Sequence, residues 1–257
     1  MNWLKRFAGD FAGAHIDGLR AMRALPLLFT AIILWEFAQH IVEVRIGMFE
    51  SEEAMKAVSN DPTRMAFGWV KMILIYVGAF FVIRHLAGTR DGRSLQPIPA
   101  AFTRYLPYMI YMLGCFALVF YARGFIPESD VMAFRTTISL SQVFVEPFLM
   151  VWVVAAATDG AVRSPLASAR RMGWLYLFAL PLFFFARLPI NLAHQQLNQL
   201  AMGESGAMLW GLLALDSVVV GLIVAIIPAI SVRVARLVSE RREQSERSHV
   251  YAPAIVN

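Results

Sequence analysis

The chain has 257 residues, of which 58% are hydrophobic and 16% are charged. Soluble domains contain about 45–50% apolar and about 25% charged residues, so this composition excludes an ordinary soluble protein. A helix needs about 20 apolar residues to cross a bilayer. The length leaves room for about six such helices and for no separate soluble domain. We therefore expect an all-α membrane protein, a bundle of six transmembrane helices.

The segment 1–24 is predicted to be an amphipathic helix in the membrane interface. Charged residues occupy the positions between its apolar residues, which recur at helical spacings: Trp3, Leu4, Phe7, Phe11, Leu19 and Met22. This pattern is typical of interfacial helices. A short helix packed on the bundle explains it equally well. The segment does not resemble a cleaved signal peptide, because no short apolar core precedes a small-residue cleavage site.

Residues 25–238 are interpreted as the transmembrane domain. Within them we predict six apolar spans, at 25–46, 65–86, 98–121, 131–157, 174–192 and 207–232. Asp61, directly before Pro62, is the predicted N-cap of the second helix. Residues 239–257 are polar and charged, and we expect them to form a disordered cytoplasmic tail.

One short motif stands before the sixth span. Residues 203–206 spell GESG, which resembles the serine motif of the rhomboid intramembrane proteases, also built on six helices. Rhomboids pair that serine with a histidine on a later membrane helix, whereas the histidine that follows Ser205 here is His249 in the tail. We therefore interpret the motif as a tight turn.

The basic residues predict the orientation of the chain. Sixteen Lys and Arg residues fall at the two termini and at the junctions after spans two and four, against five in the other loops. Positively charged loops stay in the cytoplasm, so we expect both termini to be cytoplasmic in a bacterial-type inner membrane. This partition also accounts for the net charge of +5, and we expect no nucleic-acid partner.

Ionisable residues inside the spans are the candidate functional residues, because a charge near the bilayer centre costs about 2.5–3.5 kcal/mol on insertion scales. The proton- or cation-binding candidates are Glu36, His40, Glu43, Glu146 and Asp216. The candidates for charge tuning or anion binding are Lys71, Arg135, Gln142, Arg187 and Asn191. The i, i+4, i+7 spacings of these residues within spans one, four and five place each group on one helix face.

The charges within the spans do not balance. Four carboxylates stand against Lys71, Arg187 and, near the membrane edge, Arg135. A surplus buried carboxylate must be protonated, solvated or matched by a cation. The depths of the groups place Glu36 and Glu146 near the midplane and the other charges in the half away from the cytoplasm. We expect the three faces to enclose one polar cavity open to that side.

The pattern favours proton- or cation-linked transport or permeation of a small solute. The alternative is a non-catalytic accessory or assembly subunit, whose polar groups only tie helices together; an intramembrane enzyme ranks third. We assign no catalytic residue. His40 between carboxylates suits a metal, but a catalytic zinc site needs three ligands and an open position, so no metal is assigned. The expected surroundings are lipid, and a cofactor, a membrane-protein partner and a homo-oligomer are all left open.

Overall fold

The computed structural model describes residues 3–89 and 91–250. Within these ranges the chain is helical and contains no strand. Its α-helices are α1 (Trp3–Ala24), α2 (Pro26–Arg45), α3 (Glu52–Val58), α4 (Pro62–Thr89), α5 (Ile98–Phe120), α6 (Glu128–Ala157), α7 (Pro165–Met172), α8 (Tyr176–Leu200) and α9 (Gly206–Val250). Arg90, counted above for orientation, and residues 251–257 of the predicted tail lie outside the described residues.

Six of the helices are long and apolar enough to cross a membrane, namely α2, α4, α5, α6, α8 and α9. They correspond to the six predicted spans, so the chain is an all-α, multi-pass membrane protein. Several helices extend beyond the apolar runs that predicted them. Helix α4 begins at Pro62 because Asp61 caps it: Oδ1 of Asp61 accepts hydrogen bonds from the backbone N–H groups of Thr63 and Arg64, at 2.9 and 3.0 Å.

Helix α9 lies at the centre of the bundle and packs against α1, α2, α4, α6 and α8. Small residues allow this close packing. Ala225 and Ala229 have no exposed surface, and a methyl group added to Gly18 of α1 would lie 2.8 Å from Ile226. The polar and charged groups of α9 are therefore held against side chains of several other helices.

Helix α1 packs on α9 through a face of small and acidic residues that includes Asp10, Gly13 and Asp17. Arg233 of α9 pairs with both aspartates. On other faces of α1 the apolar side chains of Trp3 and Leu4 are 52% and 65% exposed. The helix thus contacts the bundle through acidic and small residues and through the ring of Phe7, which packs on Phe178 of α8. Trp3 and Leu4 stay largely exposed, where the predicted interfacial position would place them in lipid.

The segment between α8 and α9 is a turn. Gly203 and Gly206 both have positive φ, at 78° and 57°, a conformation that glycine adopts without steric strain. The N–H of Gly203 donates to the carbonyl of Phe49, at 2.8 Å, which ties the turn to the loop after α2. The GESG residues therefore reverse the chain before the last helix.

Candidate functional site

His40, on α2, lies between carboxylates in the interior of the bundle. Its Nδ1 is 3.0 Å from Oε2 of Glu43, and its Nε2 is 3.0 Å from Oδ2 of Asp216. Oε1 of Glu36 is 3.7 Å from the same Nε2. Carboxylate oxygens only accept hydrogen bonds, so both short contacts form when both ring nitrogens carry a proton. The arrangement fits a positively charged imidazolium at His40.

Asp216, on α9, joins this histidine to a second one. The side chain of Asp216 is fully buried. Its Oδ1 accepts a hydrogen bond from Nδ1 of His194 at 2.6 Å, and its Oδ2 accepts one from Nδ2 of Asn198 at 3.0 Å. A single carboxylate therefore bridges His40 on α2 and His194 on α8.

Glu43, one turn from His40, is held by two further side chains. Gln39 Nε2 donates to its Oε1 at 2.8 Å, and Arg64 Nε donates to the same oxygen at 3.1 Å. Arg64 stands in the first turn of α4, so the position of that helix start brings a cation to α2. The carboxylate of Glu43 is consequently fully engaged as an acceptor.

Glu36 lies at the end of the group nearer the middle of α2. Nζ of Lys71, on α4, donates to Oε1 of Glu36 at 3.1 Å. The other oxygen, Oε2, is buried and has no hydrogen-bond partner in the described part of the chain. We call the whole group the histidine–carboxylate network; its members are Glu36, Gln39, His40, Glu43, Arg64, Lys71, His194, Asn198 and Asp216.

The network holds three carboxylates, two permanent cations and two imidazoles. With both histidines neutral it carries one net negative charge, and one added proton makes it neutral. A buried group of charges is most stable when its sum is zero, because uncompensated charge is costly to desolvate. The network is therefore electrically neutral when one of its two histidines is protonated.

A metal ion is the other cation to consider at this place. Ligand atoms of Glu36, His40 and Asp216 all lie within 4.8 Å of one another, a spacing compatible with an ion. A divalent ion would turn the single negative charge into a positive one while Lys71 and Arg64 stay in place. Charge balance thus favours a proton, and these residues are not assigned as metal ligands.

Glu146 and Arg187 form a second, separate polar group. Nη1 of Arg187 is 3.9 Å from Oε1 of Glu146, and this nitrogen is buried without a hydrogen-bond partner among the described residues. Both side chains line a cavity of about 260 Å³ between α4, α5, α6, α8 and α9, together with Gln142 and with the rings of Tyr76, Tyr105 and Tyr108.

The sequence predicts one shared polar cavity, whereas the intramembrane charges fall into these two groups. On α9, the first cavity residue, Ile223, is seven residues beyond Asp216, which is about 10 Å along the helix. The groups approach each other on α4, where Lys71 of the network directly precedes Met72 of the cavity wall. Helix rotation pairs Glu146 with Arg187 and turns both toward the cavity.

Two of the predicted candidates belong to neither group. Arg135 donates from Nε to the carbonyl of Val119 at 3.0 Å, near the end of α5. Asn191 is partly buried on α8 between Arg187 and His194. Lys71, Gln142 and Arg187 do lie beside predicted carboxylates, as described above.

The candidates predicted from the sequence do not include Arg64, Gln39, Asn198 and His194, which the structure places in the network. His194 and Asn198 share the helical spacing of Arg187 and Asn191, so that periodicity could have identified them. Arg64 was counted among the loop charges, because the apolar run of α4 begins one residue after it. The cap at Asp61 is the sequence signal that extends the helix back to Arg64.

Comparison with known proteins gives no relative for this arrangement: no protein-family model, no curated protein and no solved structure matches the chain.

Proposed function

We propose that the chain is a transport or permeation protein in which the histidine–carboxylate network binds a proton and links its passage to that of a small solute. The observation that carries the proposal is the position of His40, whose two ring nitrogens each lie 3.0 Å from a buried carboxylate oxygen. Ionisable side chains linked in this way inside a membrane are the components of proton relays.

The hydrogen bonds of the network follow a continuous path. Glu43 contacts His40, His40 contacts Asp216, and Asp216 contacts His194. One added proton neutralises the network. This proton can reside on His40 or on His194 while Asp216 stays ionised between them. A shift of the proton from His194 to His40 then moves charge from one helix to another without creating a second buried charge.

The side chains on this path become less exposed from His194 inward, as expected of a relay that takes up protons at the surface. The side chain of His194 is 35% exposed, that of His40 is 2% exposed, and Asp216 is fully buried. His194 is therefore the entry point, and His40 with Glu36 forms the inner end. Lys71, paired with Glu36, stands next to the cavity wall, so the protonation state of the inner end acts on the cavity through α4.

A flux assay tests this proposal directly. Purified protein is reconstituted into vesicles that contain a pH-sensitive dye, and a membrane potential is imposed with the external cation varied. Asp216→Asn removes the bridging charge and His40→Gln removes the titratable ring, and both variants are expected to abolish the flux. His85→Gln, on α4 outside the network, is the matched control and is expected to keep it.

The proposal fails if the wild type moves no protons, or if the Asp216 and His40 variants conduct as the wild type does. Size-exclusion chromatography and circular dichroism establish that the variants are folded. A wild type without flux that is recovered with a stoichiometric partner by native mass spectrometry would support the alternative of an accessory subunit.

We further propose an orientation in a bacterial-type inner membrane with both termini in the cytoplasm. The support is the asymmetric distribution of Lys and Arg. Cys115 is the one cysteine of the chain, so a Cys115→Ser background gives single-cysteine variants. An impermeant maleimide should label Ser205→Cys in intact cells and Ser94→Cys only after permeabilisation. The opposite labelling would refute this orientation.

A further inference from the structure

We propose that the cavity beside Glu146 and Arg187 binds a small, net-neutral organic molecule. Its body is apolar and about the size of one ring, and its head group both accepts a hydrogen bond from Arg187 and donates one to Glu146. The binding site is argued independently of the proposed function. Only the role of this molecule as the transported solute rests on that function.

The state of the ion pair defines the head group. At 3.9 Å the Glu146 and Arg187 side chains are within salt-bridge distance but are not hydrogen-bonded, and Nη1 of Arg187 is buried without a partner among the described residues. A buried donor left unbonded is costly. A ligand group that carries an acceptor and a donor side by side would bond to both side chains.

The charge of the pair defines the charge of the ligand. Glu146 and Arg187 cancel each other, and most of the remaining wall is apolar or aromatic. A ligand with a net charge would leave that charge uncompensated in an apolar site, which is unfavourable. The amide of Gln142, which can donate and accept, adds an uncharged contact to those of Glu146 and Arg187.

The walls and the volume define the body of the ligand. The rings of Tyr76 and Tyr108 meet edge to face, with centroids 6.4 Å apart, and Tyr105 packs against Tyr108 at 5.5 Å. Aromatic rings favour such edge and offset contacts with another ring. The cavity of about 260 Å³ has the volume of roughly nine water molecules, which suits a one-ring molecule.

Three isosteric probes test the assignment. Benzamide is neutral and presents a carbonyl acceptor beside an N–H donor. Benzoate carries a negative charge on the same kind of ring, and benzylammonium carries a positive one. Equilibrium binding of tritiated benzamide to the purified full-length chain in nanodiscs should be saturable. Benzoate and benzylammonium should compete about tenfold less well, a difference of about 1.4 kcal/mol.

Variants of the cavity test its position. Ala79 lines the cavity, and Ala79→Leu places three more carbon atoms into it while Glu146 and Arg187 are kept. This variant should weaken benzamide binding at least about tenfold. Ala66→Leu, on an exposed position of the same helix, is the matched control and should bind as the wild type does.

A change of specificity tests the head-group argument independently of folding. Glu146→Gln removes the negative charge and leaves Arg187 uncompensated, so benzoate should become the preferred probe over benzamide. Retained preference for benzamide in this variant, or benzamide binding that Ala79→Leu leaves unchanged, would overturn the proposal. Failure of all three probes to bind the wild type would overturn it as well.

The same measurements separate this inference from the proposed function. Asp216→Asn disrupts the network but not the cavity, so it should lose proton flux and keep benzamide binding. Benzamide binding in a wild type without flux would refute the proposed function alone. Proton flux in a wild type that binds none of the probes would refute this inference alone.

Discussion

Removal of the Arg233 guanidinium is expected to weaken the attachment of α1 to α9. Nε of Arg233 donates to Oδ2 of Asp17 at 2.8 Å, Nη2 lies 2.6 Å from the same oxygen, and Nη1 donates to Oδ1 of Asp10 at 3.1 Å. All three residues are buried. Arg233→Met retains an apolar stem of similar reach and removes the cation that contacts both carboxylates.

The magnitude follows from what the substitution leaves behind. Breaking a buried ion pair by removing one partner costs about 3–5 kcal/mol, because the other charge stays buried. Asp10 keeps Arg6 at 3.5 Å, and Asp17 keeps Arg20 at 3.9 Å. These longer contacts compensate part of the loss, so the lower end of the range applies. We expect a loss of about 3 kcal/mol, which raises the detached population of α1 about a hundredfold.

The assay is equilibrium unfolding by sodium dodecyl sulfate in mixed bicelles, combined with protease protection of α1. Arg242→Met on the same helix is the matched control. Arg242 pairs with Glu246 at 2.7 Å, but their side chains are 56% and 62% exposed, and exposed pairs contribute about 0.3–0.5 kcal/mol. Its loss should leave both readouts close to those of the wild type.

Neutralising the two carboxylates should restore stability to the Arg233 variant. Adding Asp10→Asn and Asp17→Asn to Arg233→Met replaces the two buried carboxylates that lost their shared cation with neutral amides, which are much less costly to bury. A single variant within about 1 kcal/mol of the wild type would refute the reasoning. So would a triple variant no more stable than the single one.

Three further substitutions are expected to change stability, each measured by the same unfolding assay. Gly13→Ala should destabilise by about 1–3 kcal/mol, because the added methyl group would overlap the Arg233 guanidinium; a neutral or stabilising effect would contradict this packing. Gly9→Ala, one turn earlier, has nothing within 4 Å of the added group, so it should stabilise by up to about 1 kcal/mol through helix propensity, and destabilisation would argue against its open position. Tyr105→Phe removes the hydroxyl that donates to the carbonyl of Tyr76 at 3.1 Å in a fully buried place and should cost about 0.5–1.5 kcal/mol, whereas no loss would mean that the bond contributes nothing.

The membrane helices could be predicted from the sequence because lipid selects for long apolar runs, and such runs are local in the chain. The ends of the helices were harder to predict. Arg64 belongs to the first turn of α4 although it precedes the apolar run, because the cap at Asp61 and the ring of Pro62 set the helix start. Periodicity of apolar residues carries no information about a turn that is polar.

The candidate site was predicted only as far as single helices determine it. Glu36, His40 and Glu43 share a face because their spacing follows the helical period, and the structure places His40 within reach of both glutamates. Which neighbouring helix this face of α2 contacts depends on how the helices are rotated and tilted. Side-chain packing between the helices determines that rotation and tilt. The pairing of Glu146 with Arg187 and the bridge from Asp216 to His194 therefore required the three-dimensional structure.

The same dependence on packing explains why the buried group of Asp10, Asp17 and Arg233 was not predicted. Arg233 follows the last apolar run and was assigned to membrane orientation, and the two aspartates fall between the apolar residues of an amphipathic helix. A surface helix would leave all three in water. Only the close approach of α1 to α9, which Gly13 and Gly18 permit, makes them a buried ion group.

The surplus of one carboxylate, first counted over all the spans, acquires a definite place in the structure. Arg135 bonds to α5, and Glu146 and Arg187 neutralise each other, so none of these three contributes to the balance of the network. Arg64 replaces Arg135 as a cation there, and the network retains one more carboxylate than permanent cations. The surplus now lies beside two imidazoles, the side chains that most readily gain or lose a proton near neutral pH. A fixed cation at that place would neutralise the network permanently, whereas an imidazole does so reversibly, and this reversibility is the property that a proton-linked transporter requires.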